Sequence, residues 1–540
     1  MKNRIIYFLF AGILAFAFSS CEKFLDVNDP NPNSATYSTP ELILPQATAY
    51  VANNFVSYHG HGARLVGYHV NAGGYGGWGD TFTYEYTTAS FNGLFNSVYD
   101  NILDLEYVIT AATDEEGALK PEYVNFYGAA KTLKAYLYMN LVDLYDDVPY
   151  TEGAKGAAFI TPKYDDAREI YKGLAVELDE AIAAIKSQTV TNPLGSSDVL
   201  FGGNMTRWIQ FANTIKLKLY VQAFGKSVFS GAFSASPEGF LADDALVDPG
   251  YERANGKQNP TWNSYHSTYT ATAQVAFGRQ WLPSRYTVAF YTGTKISDPL
   301  RGAATYRALS TNPPGTVPQN HLGNTPTPDN LPTVAGTLGS SPFYIGTPGA
   351  TTGSNNTIGT LKGSGMGQPI MLAAESFFLQ AEAAVRGIIS GDAADLFESG
   401  IEASFRYLYK GPDGVVASGM NPTADAATYI SSNPNSRLVN FSMATTEAQR
   451  IEAIITQKYI AYNNIGGHIA WADFRRTGYP VIIPNGGPTE TFVSIMSAMP
   501  TVDRLPGRIL YPANERTMNA DNVPQGISVS GSYVFWDRRN

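Results

Sequence analysis

The chain has 540 residues, 44% of them hydrophobic and 16% charged. That is enough apolar material for a large folded body, which excludes a disordered tail or a disulfide miniprotein. A net charge of -10 without any Lys/Arg-rich stretch argues against nucleic acid, whose phosphates demand a basic surface, and one cysteine cannot form an internal disulfide.

At the amino terminus Lys2 and Arg4 precede the apolar run Ile5 to Phe18, which closes on Ser19, Ser20 and Cys21. A charged start, an apolar middle and small residues before a cut read as an export signal over residues 1–20. The run is too short to span a bilayer comfortably. Ser19 and Ser20 would let the peptide enter a narrow protease site, and the Cys21 thiol is the nucleophile to which a diacylglycerol group would be attached. This resembles the bacterial lipobox, departing from it at Phe18, where Leu is commonest. No later apolar run approaches the roughly 20 residues of a spanning helix. Residues 21–39, dense in Pro and Asn, predict an extended tether.

From Pro40 to Phe224 the apolar spacing is helical. Ala130, Leu133, Leu137, Leu141 and Leu144 recur at three and four, as do Ile170, Leu174, Leu178, Ile182 and Ile185. A third helix is predicted from Thr206 to Ala223, with Trp208, Phe211, Ile215 and Leu219 on one side. Residues 225–369 lose the period, and turn signals such as Asn312-Pro313-Pro314-Gly315 predict a loop-rich ligand region. Helical spacing returns over 370–475, at Ile370 to Ile389, Ala393 to Leu408 and Thr445 to Tyr462, and residues 476–540 read as Pro- and Gly-rich loops. The expected fold is mainly α: tetratricopeptide-like helix pairs from two sequence-distant blocks supporting the irregular middle.

Enzyme signatures are sparse. Gly225-Lys226-Ser227 ends like a phosphate loop, but Tyr220 stands where its first glycine belongs. His59, His61 and His69 have a spacing a metal could use, yet no Cys or helical His-x3-His accompanies them, and no metal or cofactor is assigned. Neither Gly-x-Ser-x-Gly nor His-Glu-x-x-His occurs. Glycosidase carboxylates converge in space and leave no such trace. Glu375 and Glu382, seven apart among Ala, Phe and Leu, are read as tying helices together, and Arg475 and Arg476 as serving a helix end beside Asp473.

The aromatic loops carry the functional signal. Tyr75-Gly76-Gly77-Trp78-Gly79-Asp80 sets two rings among glycines, Tyr84 follows, and the middle segment adds Trp262, Tyr265, Trp281, Tyr286 and Tyr291. Pyranose C–H faces pack on such rings while hydroxyls bond to amides and carboxylates, so these eight residues form the candidate ligand set, with Trp78 and Trp281 leading. The alternative is that the rings cap the helical core under long loops. Trp208 and Trp471, in helical stretches, are assigned to the core.

Several segments in shared order resemble the SusD/RagB family of Bacteroidetes outer-membrane lipoproteins. They are Asp26 to Asn31, Asp143-Leu144-Tyr145-Asp146-Asp147-Val148-Pro149-Tyr150, Pro162 to Tyr171 and Gly203 to Asn213. Ala374-Glu375-Ser376 with Gln380 to Ala383, Thr456-Gln457-Lys458, Trp471 to Pro480 and Arg508 to Pro512 continue the series; in the middle only Asp298-Pro299-Leu300 matches. The resemblance implies a lipid-anchored protein exposed at the cell outer membrane. It would capture an oligosaccharide nutrient without breaking a bond and deliver it to a TonB-dependent, SusC-like transporter barrel. A peptide-binding member of the same architecture, a glycan-cleaving enzyme and a ligand-free helical scaffold stay open as alternatives.

Overall fold

The computed structural model describes residues 38–72, 76–187, 192–270, 275–325, 341–346 and 357–540. The export signal, Cys21 and most of the tether lie outside them. The first helical block comprises α1 (Pro40–Leu65), α2 (Gly93–Ala111), α3 (Val124–Tyr145), α4 (Ala167–Lys186) and α5 (Met205–Gln222). Each packs on the next in turn. In α4 the residues expected on one stripe, from Ile170 to Ile185, are all buried, and the Asp166 side chain accepts from the backbone N–H groups of Arg168 and Glu169 to cap the first turn. The α3 helix is buried nearly all round, so its lysines need partners: Lys134 reaches Glu106 at 2.9 Å and Glu177 at 3.3 Å, and Lys131 pairs with Glu180.

The middle segment contributes two short helices used below, α6 (Pro260–Tyr265) and α7 (Pro299–Thr305). Asn259 caps α6 and Asp298 caps α7, each with a proline at the start, which supplies the fixed φ of a first helical residue. The second block holds α8 (Ala373–Val385), α9 (Ala393–Tyr409), α10 (Pro422–Ser431), α11 (Glu447–Ala461) and α12 (Gly467–Thr477). A Thr446 and Gln449 capping box opens α11, and Gly478 at φ 82° closes α12. The helices form pairs as in tetratricopeptide proteins, and the blocks join twice, α5 against α8 and α12 against α1.

Strands are short and serve as staples. β1 (Val70–Asn71) pairs antiparallel with β3 (Trp281–Leu282), and β2 (Ala245–Val247) with β4 (Gln368–Met371), so two places in the loop-rich middle are bonded to chain far away in sequence.

A buried ionic network holds the two blocks in register. Glu375, fully buried on α8, accepts from Lys218 of α5 at 2.9 Å, lies 3.3 Å from Lys458 of α11, and also accepts from the Tyr462 hydroxyl. Lys458 bridges on to Asp473 of α12 at 3.0 Å, and Arg476 pairs with both Asp473 and Glu382. Burial pushes the Glu375 carboxyl up, but Lys218 and Lys458 outweigh it and hold it at about 2. The two glutamates are helix ties. The matching middle motif has the same character: the buried Asp298 carboxylate accepts from Arg301 Nε at 2.6 Å, and Arg301 donates to Gln457 of α11 at 2.9 Å. Arg475 donates to the carbonyls of Asp143 and Gly507, and Trp208 and Trp471 are core, 1% and 0% exposed.

Candidate ligand-binding site

The site starts where α1 and α12 touch backbone to backbone. A Cβ on Gly62 would fall 2.2 Å from the His468 nitrogen, and one on Gly467 2.2 Å from that of Ala63, so only glycine permits this approach. The crossing fixes the carboxyl end of α1, from which His59, His61, Arg64 and, past the helix, His69 project. Gly467 N–H donates to His59 Nδ1 at 3.0 Å, and His69 Nε2 bonds to Asn464 Oδ1 at 2.7 Å. Burial pushes His69 down to about 3, despite its hydrogen bond to Asn464; His59 and His61 are likewise held well below the ordinary imidazole value, mainly by burial. These rings are neutral wall material. His59 meets His69 edge-on at 5.1 Å, and His61 packs on Phe91 and Trp471.

The β1–β3 pairing then brings in rings from the middle of the chain. Asn71 lies opposite Trp281, and Ala72 N–H donates to the Gln280 carbonyl at 2.7 Å. As a result Trp281 stacks on His69, with centroids 5.5 Å apart and planes 18° apart, and Trp78 meets Trp281 in a T at 5.0 Å. Phe82, one helical turn on from Trp78, stacks beneath it at 5.5 Å and 10°. Tyr265 of α6 joins from the other side, 5.0 Å from His69 and 5.7 Å from His59. On the same helix Trp262 stacks on His266 at 3.9 Å, and both contact Tyr344.

The candidate set therefore divides. Trp78, Trp281 and Tyr265 form one wall, with Trp262 extending it through His266 and Tyr344. Tyr84, Tyr286 and Tyr291 do not join it. Tyr84 is fully buried, its hydroxyl accepting from Ser494 N–H at 3.0 Å; Tyr286 donates to the Val481 carbonyl at 2.8 Å among Phe492 and Tyr459; Tyr291 accepts from Asn463 at 3.0 Å beside Tyr306. These three rings pack elsewhere in the core, with Tyr291, at 3% exposure, as buried as Trp281. Even in the wall, exposed platforms are not what the loops provide: Trp262 is 1% exposed, Trp281 3%, Tyr265 4% and Trp78 9%. Sequence glycines do not keep a ring in solvent when a short helix such as Asp80–Thr83 folds back under it. What is open beside Trp78 is the exposed backbone of Gly76, Gly77 and Gly79. Tyr75 lies outside the described residues.

Arg64 escaped the sequence reading. Its guanidinium lies 4.8 Å over the Trp281 ring and 5.9 Å from Phe91. A signal existed, since no other Asp, Glu, Lys or Arg occurs between Glu41 and Asp80.

Residues 32–232 match the SusD-like profile described as starch-binding associating with outer membrane, and residues 356–533 the SusD and RagB outer membrane lipoprotein profile. Among solved structures, a SusD homolog from Bacteroides fragilis is 21% identical, covering 93% of this chain and 99% of that one with a TM-score of 0.64. A chitin-binding SusD homolog from Flavobacterium johnsoniae is 20% identical, with coverage of 92% and 99% and a TM-score of 0.63. A comparison with curated proteins gives no match. The part least covered by the profiles, between residues 232 and 356, is the part that supplies Trp262, Tyr265 and Trp281. The solved structures share the fold, and the two profiles, one over each helical block, give the family: the chain belongs to the SusD/RagB family of nutrient-binding outer-membrane proteins.

Proposed function

We propose that the protein captures an oligosaccharide at the cell surface, anchored through Cys21, and delivers it to a TonB-dependent transporter barrel. The observation that carries the saccharide reading is the wall of Trp78, Trp281 and Tyr265, assembled from residues 200 apart beside an exposed glycine rim. Aromatic rings suit the C–H face of a pyranose, and Trp78, the most exposed ring of the wall, stands beside that rim. Chitin binding by a homolog of the same fold adds support by analogy. Binding, with no bond broken, suffices for this role, and the transporter step rests on family membership.

Arrays of glycans and of peptides, followed by calorimetry on the hit, test the reading. If the rim of Trp78 meets the ligand, Trp78→Ala weakens binding by a few-fold to about tenfold, the worth of one aromatic contact. Unchanged affinity in a folded variant, or a peptide as the sole hit, would count against a saccharide site here. Mild-detergent purification should bring down a large β-barrel protein in near-stoichiometric amount; recovery of this chain alone would oppose delivery.

A further inference from the structure

Arg64 is the one formal charge in a long neutral stretch of sequence, and the fold half-buries it against the aromatic wall. It makes no ion pair or hydrogen bond among the described residues, and its Nε is buried without a partner. Asp80, the next acid along the chain, is engaged by the Ser90 hydroxyl at 2.8 Å. Several fully buried cations have an acceptor: Lys218 has Glu375, Arg301 has Asp298, Arg476 has Glu382 and Arg475 has two carbonyls, although the Nε atoms of Arg475 and Arg476 are also buried without a partner and half-buried Lys295 rests on the Tyr286 and Phe290 rings without an ion pair among the described residues. The last turn of α1 gives Arg64 a favourable helix dipole, which is a weaker complement than an acceptor atom. Around it both ring nitrogens of His61 and the Tyr86 hydroxyl are also buried without partners. Two aromatic residues of the adjoining segment, Tyr84 and Phe91, are held at φ 62° and 63°, a conformation that costs non-glycine residues energy and that gathers at ligand sites.

We propose that Arg64 is the anion-recognising residue of this site, and that the ligand is an acidic saccharide, a glycan carrying uronate carboxylates or sulfate esters. A guanidinium offers forked donors matched to either group, and stacking on Trp281 fixes its plane. The sugar would meet the exposed rim of Gly76, Gly77 and Gly79 beside Trp78 while its acid reaches the half-buried Arg64 guanidinium, supplying a counter-charge that no described residue provides. The inference rests on the saccharide reading and adds the chemical class.

The test is calorimetric titration of the purified exported protein with oligogalacturonate, alginate and chondroitin sulfate oligomers, each against its carboxyl-reduced or desulfated counterpart. At least one acidic probe should bind ten times or more tightly than its neutral counterpart, with affinity falling as sodium chloride rises. Whether reduction or desulfation abolishes the preference tells carboxylate from sulfate. Arg64→Gln should remove the preference and Arg64→Lys retain part of it. The comparisons on the unaltered chain stand even if a variant misfolds. Equal binding of acidic and neutral probes, or an acid preference unchanged in folded Arg64→Gln, overturns the assignment; if Trp78→Ala still weakens neutral binding, the saccharide site itself survives. Binding of no saccharide, acidic or neutral, removes both.

Discussion

Glu375→Gln should be among the most damaging single-atom changes in the protein. The substitution keeps the shape and removes a charge that faces Lys218 at 2.9 Å and Lys458 at 3.3 Å, with side-chain exposures of 4% and 3% for the lysines and 0% for the glutamate. Lys458 retains Asp473, but Lys218 has no second ion pair among the described residues, only the Coulombic influence of the buried Asp143 carboxylate, and is left as a poorly compensated buried cation. Breaking a buried pair from one side costs about 3–5 kcal/mol, a large part of the ~5–15 kcal/mol that holds a folded domain together. The urea unfolding midpoint should fall accordingly, with little change in slope. Adding Lys218→Met should recover part of the loss, because it removes the stranded charge. The pH dependence has a defined sign. The Glu375 carboxyl is held at about 2 in the folded protein against an ordinary value of 4.5, so its stabilisation is full above the ordinary value and is lost as pH falls toward 2. Glu375→Gln should therefore flatten the acid limb of stability between those values. A loss below about 1 kcal/mol, or an acid limb as steep as in the parent, would refute the network as the tie between the helical blocks.

Gly62→Ala should cost at least about 1–3 kcal/mol, since its Cβ would push α1 off α12, whereas Gly93→Ala, with nothing within 4 Å, should be neutral or slightly stabilising; thermal melts of both check this. Trp281→Ala should lower stability by about 3–5 kcal/mol, as for a large buried ring, and more than Trp78→Ala does, because it strips the stacking surface from His69 and Arg64 together; denaturant titration decides. Cys21→Ala should block incorporation of labelled palmitate and release exported protein from membranes, and equal labelling of both forms would defeat the lipid-anchor expectation.

Much was legible before any coordinates. The helical stripes of α4 and α5 follow from apolar residues at three and four, a period that only a helix turns into one face; the caps at Asp166 and Thr446 are findings of the structure. The hallmark segments were recognisable because they carry the charged residues of the inter-helix network, and a buried charge admits few substitutes.

The aromatic residues were named by the sequence but could not be sorted by it. Nothing local distinguishes Trp281, which reaches the wall, from Tyr286, five residues on, which turns into the core onto Phe492. That division is set by the pairing of Asn71 with Trp281 across more than two hundred residues, and by the glycine contact between α1 and α12. Arg64 likewise looks like an ordinary helix-end cation until tertiary packing lays it over Trp281 with no acid paired to it among the described residues. The sequence alone determined the long helices with a clear apolar stripe and the family, because those rest on periodicity and on charges that must be paired, while the short helices of Pro260–Tyr265 and Pro422–Ser431 carry too few residues to show a period. Tertiary structure alone decided which rings gather at the wall and that Arg64 lies over Trp281 without an acid among the described residues, because both depend on contacts between segments whose separation no local pattern encodes.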